Sequence, residues 1–123
     1  MERQSKNEKL LQYFKDICRI PRQTGDEEAI SQYLLDFAKA RGLQAERDAH
    51  HNVLIRKPST IPGYKGPTVI VQGHMDIVYE KSADSTHKYE DGIHVVEEDG
   101  YLKSADGTSL GADNGLAVAY AMD

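Results

Sequence analysis

The run Thr68-Val69-Ile70-Val71-Gln72 constrains this chain more than any other segment. Four successive β-branched residues, the last three apolar, have no polar position to turn toward water. A strand with one wet face alternates, whereas a continuous apolar strand needs cover on both faces, as in a covered parallel sheet. The run therefore predicts a buried strand. Helical and strand patterns alternate on either side of it, which predicts an α/β fold.

On the amino-terminal side, Leu10, Leu11, Phe14, Ile17 and Cys18 recur at spacings of three and four, so residues 6–19 read as an amphipathic helix that Pro21 stops. Thr24 and Glu27 have capping-box spacing, and Asp26, Glu27 and Glu28 suit the positive end of a second helix. That helix is expected to bury Ile30, Tyr33, Leu34, Phe37 and Ala38, with Gly42 just past its end. Residues 43–47 and 52–56 alternate and form either a hairpin or adjacent strands. Pro58, Pro62, Gly63, Gly66 and Pro67 make residues 58–67 a surface loop. Residues 93–97 and 101–103 flank Glu98-Asp99-Gly100 as a second hairpin. Gly115–Met122 is small and apolar, like the start of a helix packed against a sheet.

Composition removes several classes of function. A length of 123 residues is one small domain or a piece of a larger one. The 15 Lys+Arg against 20 Asp+Glu give a net charge of -5, with no basic stripe. There is no Trp, and the two Phe fall on helix faces, so nucleic acid is not an expected partner. The single cysteine, Cys18, cannot form an internal disulfide or a multi-thiolate metal site, and reads as a buried small hydrophobe. Met1–Lys6 has no apolar run after it and reads as neither signal peptide nor anchor. The longest strongly apolar stretch, Val69–Val71, is far short of the ~20 residues of a membrane helix. A cytoplasmic protein without a membrane partner is expected.

The chemistry gathers at two short glycine-containing motifs. The apolar run ends in Gly73-His74-Met75-Asp76, and ligands of α/β sheets collect at the carboxyl ends of strands. In extended backbone His74 and Asp76 point the same way, which suits a metal–histidine–carboxylate relay. A solvated strand-end turn is the plain alternative. The second motif is Leu110-Gly111-Ala112-Asp113-Asn114-Gly115, where glycines flank an acid that opens an apolar helix. Asp113 reads either as a helix N-cap or as a carboxylate whose two oxygens face a cavity and bridge two metal ions.

Taken together, the two motifs, with Asp113 lying 37 residues after Asp76, resemble the co-catalytic zinc peptidases that include aminoacylases, glutamate carboxypeptidases, peptidase T and carnosinases. The likeness extends in particular to the bacterial aminoacyl-histidine (Xaa-His) dipeptidases. Ile20-Pro21-Arg22, Thr24-Gly25-Asp26-Glu27 and His51-Asn52-Val53 support it. The resemblance implies a partial three-layer catalytic domain, with helices on a mixed, mostly parallel sheet. It implies that His74 is a ligand of one zinc and that Asp113 is the bridging ligand of both. It gives Asp76 a catalytic role as the carboxylate that orients His74, and it implies a cis peptide at Asp113–Asn114. Manganese or cobalt would also suit such donors.

In that family a further glutamate ligand, a glutamate general base, another acidic ligand and a distant histidine all follow the bridging aspartate. Ten residues follow Asp113, and Asp123 is the only acid among them. The chain is therefore expected to be the amino-terminal part of the catalytic domain, without its lid or dimerisation domain. The full-length enzyme is expected to be a homodimer that hydrolyses Xaa-His dipeptides with a di-zinc-activated water. The 123-residue chain by itself is expected to bind zinc weakly, to turn over no dipeptide, and to self-associate through an unpaired strand edge. The alternative is a non-catalytic module that keeps the family fold and binds a peptide or partner. His50, His51 and His94 read as structural, and His87, in the loop after His74, is the one further weak site candidate.

Overall fold

A computed structural model describes residues 7–123; the expected leaderless opening at Met1–Lys6 lies outside them. Helix α1 spans Glu8–Cys18. Its predicted stripe is the buried one: Leu10, Phe14, Ile17 and Cys18 face inward together with Tyr13, and Leu11 is half-buried. The helix closes when the Ile20 amide donates to the Ile17 carbonyl, immediately before Pro21.

Helix α2 spans Glu28–Ala40 and buries Ile30, Ser31, Leu34 and Ala38, while Tyr33 and Phe37 are only partly covered. Its expected capping box does not form. The Thr24 hydroxyl donates instead to Asp76 Oδ2 at 2.6 Å, and Glu27 accepts from the Gly25 amide at 2.7 Å. A hydroxyl bond to an ionised carboxylate is stronger than one to a neutral partner, so the carboxylate takes Thr24. The far end behaves as expected. Gly42, at φ +66°, donates to the Lys39 carbonyl, and Leu43 donates to that of Ala38. This is the Schellman pattern, which needs a residue free to adopt left-handed backbone.

The first strand pair is a hairpin. β1 (Gln44–Arg47) runs antiparallel to β2 (Val53–Arg56), with Gln44 opposite Arg56 and Arg47 opposite Val53. Asp48 holds the turn by accepting from the amides of His50 and Asn52 and from the Asn52 side chain. The second hairpin pairs β3 (Val95–Glu98) with β4 (Tyr101–Ser104). Asp99 and Gly100 both have positive φ, 52° and 80°, which matches the twist of two-residue hairpins.

The buried strand expected at 68–72 is not found. The segment pairs with nothing, and Val69, Ile70 and Val71 are 80%, 82% and 69% exposed. A strand exists through its ladder, and among the described residues no strand pairs with this segment to supply it. The mixed, mostly parallel sheet is likewise not seen. The described residues hold two antiparallel pairs, and their one parallel contact is an isolated bridge from Gln23 to Ile77.

Helix α3 spans Ala112–Met122, with non-helical backbone at Asp113 and Asn114 and a cis peptide between them. It packs on α1 rather than on a sheet. With no sheet available, the apolar stripe of α1 finds cover in Val118 and Ala119, whose small side chains allow close approach. One core joins Leu10, Phe14 and Ile17 to Ile30, Leu34, Ile77, Ile93 and Val118.

Candidate metal-binding site

Two segments distant in sequence meet beside the core. Residues 22–24 run parallel to Ile77: the Ile77 amide donates to the Arg22 carbonyl at 2.9 Å, and the Thr24 amide donates to the Ile77 carbonyl at 3.1 Å. This anchors the end of the His74-Met75-Asp76 motif. Gly73 approaches α3 closely, since a Cβ there would stand 3.0 Å from Asn114 Nδ2 and 3.3 Å from the Ala117 methyl. Gly111, at φ +80°, turns the chain into α3 just before Asp113.

The result is that His74, Asp76 and Asp113 come together. His74 Nδ1 lies 3.0 Å from the Asp76 carbonyl oxygen and 3.2 Å from its Oδ1. His74 Nε2 lies 3.1 Å from Asp113 Oδ1. The three residues, with Gly111, Ile77 and Val78, line an open cleft of about 320 Å³. Asp113 is almost wholly in water, with its side chain 95% exposed.

The ring nitrogens divide the work. With the Nδ1 proton held by Asp76, Nε2 presents a lone pair to an Asp113 oxygen that can itself only accept. Two arrangements relieve that pairing: a protonated ring, or a cation shared by the two atoms. Burial by itself lowers the His74 pKa, but the Asp76 carbonyl and the Asp113 carboxylate outweigh it and raise the net value. The Thr24 hydroxyl bond draws the Asp76 carboxyl below its ordinary range, against a smaller opposing effect of burial, with His74 adding to the depression.

A divalent metal fits the pair. Zinc bonds of about 2.0–2.1 Å in tetrahedral geometry set neighbouring donors roughly 3.3 Å apart, and the Nε2–Oδ1 separation is 3.1 Å. Among the described residues no third histidine, cysteine or acid completes a ligand group. The other histidines serve the fold. His87 is buried, with Nδ1 against the Tyr79 hydroxyl at 2.8 Å and Nε2 against the Gly92 carbonyl at 2.6 Å. His94 pairs with Asp106 at 2.7 Å, and His50 and His51 sit in the turn after β1.

Sequence reasoning gave Arg22 and Thr24 no part in this site. Arg22 is 1% exposed and reaches both motifs, donating from Nη1 to the Met75 carbonyl at 3.0 Å and from Nη2 to the Gly111 carbonyl at 3.1 Å. The available signal was a charged residue in the short stretch between two amphipathic helices, which reads locally as a solvated turn.

No protein-family model matches the chain. It is 38% identical over 113 residues to the cytosol non-specific dipeptidase of Escherichia coli K12, a match that takes in 92% of this chain and 23% of that protein. The crystal structure of aminoacylhistidine dipeptidase from Vibrio alginolyticus aligns with a TM-score of 0.85 at 36% identity, again over 92% of this chain and 23% of that one. The chain thus spans about a quarter of the length of these relatives and is homologous to that portion of them.

Proposed function

We propose that this chain, as a homologue of a dipeptidase segment, supplies His74 and Asp113 as metal donors of a dipeptide-hydrolysing centre. The observation that carries the reading is the facing of His74 Nε2 and Asp113 Oδ1 while Asp76 holds the opposite ring nitrogen. A divalent metal held there, with zinc suiting the mixed donors, supplies Lewis acidity toward water and a scissile carbonyl.

Each residue has a distinct task. His74 offers its Nε2 lone pair. Asp76 fixes the tautomer and raises the basicity of the ring. Thr24 in turn holds the Asp76 carboxylate in place. Asp113 projects two oxygens into the cleft, enough to serve two ions. The chain acts as part of a cytoplasmic, metal-binding catalytic domain whose substrates are dipeptides of the Xaa-His type. Among the described residues no third ligand joins His74 and Asp113, so the chain alone binds metal weakly and turns over no dipeptide. Catalytic zinc sites use about three protein ligands, and two are found here.

Cobalt(II) titration tests the reading, because its visible bands report nitrogen and oxygen ligation directly. The wild-type chain should show weak saturable binding, which His74→Ala and Asp113→Ala each remove. Unchanged binding in both variants would sink the assignment. Hydrolysis of β-alanyl-histidine by the purified 123-residue chain would refute the expected inactivity.

A further inference from the structure

We propose that Arg22 is a positioning residue that sets the spacing between His74 and Asp113 by tying together the two loops that carry them. The proposal rests on reading those two side chains as metal donors.

Arg22 makes its two side-chain bonds to main-chain carbonyls, one on each loop. Met75, which accepts from Nη1, directly follows His74, and Gly111, which accepts from Nη2, lies two residues before Asp113. A single planar group therefore spans segments separated by more than thirty residues of chain. The backbone of Arg22 adds a third tether, since its carbonyl accepts from the Ile77 amide at 2.9 Å.

The surroundings are shaped to this group. A Cβ on Gly111 would stand 2.9 Å from Nη2, and one on Gly115 would stand 2.6 Å from Nη2 and 3.2 Å from Cζ. Both glycines of the second motif thus leave room for the guanidinium. Burying a cation is costly, and an apolar side chain of similar size would fill this volume more cheaply. Among the described residues Arg22 makes no ion pair, and its Nε has no partner. What the burial achieves is two fixed carbonyls beside the two donor residues. Lysine could not substitute, because an ammonium is a point donor and lacks the rigid fork that reaches two acceptors at once.

The test uses the 123-residue chain without metal, and then with cobalt(II). In metal-free NMR the wild type should give an NOE between the His74 ring and the Asp113–Asn114 backbone. Arg22→Met and Arg22→Lys should lose it while the contacts of α1 with α3 persist. Gly115→Ala keeps the arginine but displaces its fork, and should weaken the same NOE. Ile17→Val, a one-methyl truncation in the buried core, serves as the stability control: it should lower the melting temperature and leave the NOE intact. Cobalt affinity should fall roughly 10–100-fold in Arg22→Met, the loss seen when outer partners of a metal ligand are removed.

A wild-type NOE retained in Arg22→Met and Gly115→Ala would overturn the proposal, as would its loss in Ile17→Val at a matched drop in melting temperature. Should the arginine variants fail to fold, through-hydrogen-bond couplings from the wild-type guanidinium to the Met75 and Gly111 carbonyls decide the matter, and their absence overturns it. A wild-type chain that binds no cobalt refutes the metal reading alone, because the NOE comparison still judges the role of Arg22.

Discussion

Asp48 shows how much one short side chain can organise. Its carboxylate accepts from the Asn52 side chain and from the amides of His50 and Asn52, which closes the turn between β1 and β2. The Asn52 bond is the main reason its pKa lies below the ordinary 3.8, with slight burial opposing and the two amides assisting. A depressed carboxylate pKa contributes stability that is present above the unfolded value and is lost as pH falls through the folded one. Asn52→Ala should therefore move the Asp48 midpoint upward, read from its carboxyl carbon shift against pH; an unmoved midpoint would contradict the assignment. Gly92 is the second informative residue. At φ 70° and ψ -178° it occupies backbone that is nearly glycine-only, and a Cβ there would collide with the Arg19 carbonyl. Gly92→Ala should destabilise the fold by about 2–4 kcal/mol in urea titration. At this scale the sequence was partly legible. His74 and Asp76 could be singled out because they follow Gly73 at the end of an apolar run and a period of two sets them on one side, and Asp113 because glycines flank it. Arg22 could not, because its acceptors lie 53 and 89 residues away and no local pattern encodes such a reach.

Elements whose stability is local were legible within a few residues. The stripe of α1, the Schellman end of α2 and both hairpins depend on neighbours close in sequence. The 68–72 run failed for the converse reason, since its expected burial required strands that the described residues do not include. Exposed Val69, Ile70 and Val71 leave a row of unpaired amides and carbonyls with apolar side chains, a combination that templates pairing with another chain. We predict that the 123-residue chain self-associates through this segment. Sedimentation should show mass rising with concentration, and Ile70→Lys should suppress that rise. A wild-type chain that stays monomeric across the range would refute the prediction.

For the whole molecule, the core is lean and stapled by helix–helix contact. α1 and α3 pack directly, and a Lys9–Asp123 pair at 3.6 Å lies at their outer edge. That pair is exposed and contributes little, so Val118 and Ala119 carry the contact. Metal should add stability by mass action, since the donors converge only in the folded chain. Zinc at about 100 times its Kd should raise stability by roughly 2.7 kcal/mol, visible as a higher Tm that a chelator reverses; no change in His74→Ala would support the site, and an equal rise there would refute it. The helix that seals the core also presents Asp113. During synthesis, then, the cover over the inward face of α1 is completed only when Val118 and Ala119 join it, and the carboxylate reaches the imidazole in that same closing movement. A nascent chain halted at Leu110 would lack both the last piece of that cover and the carboxylate that faces His74.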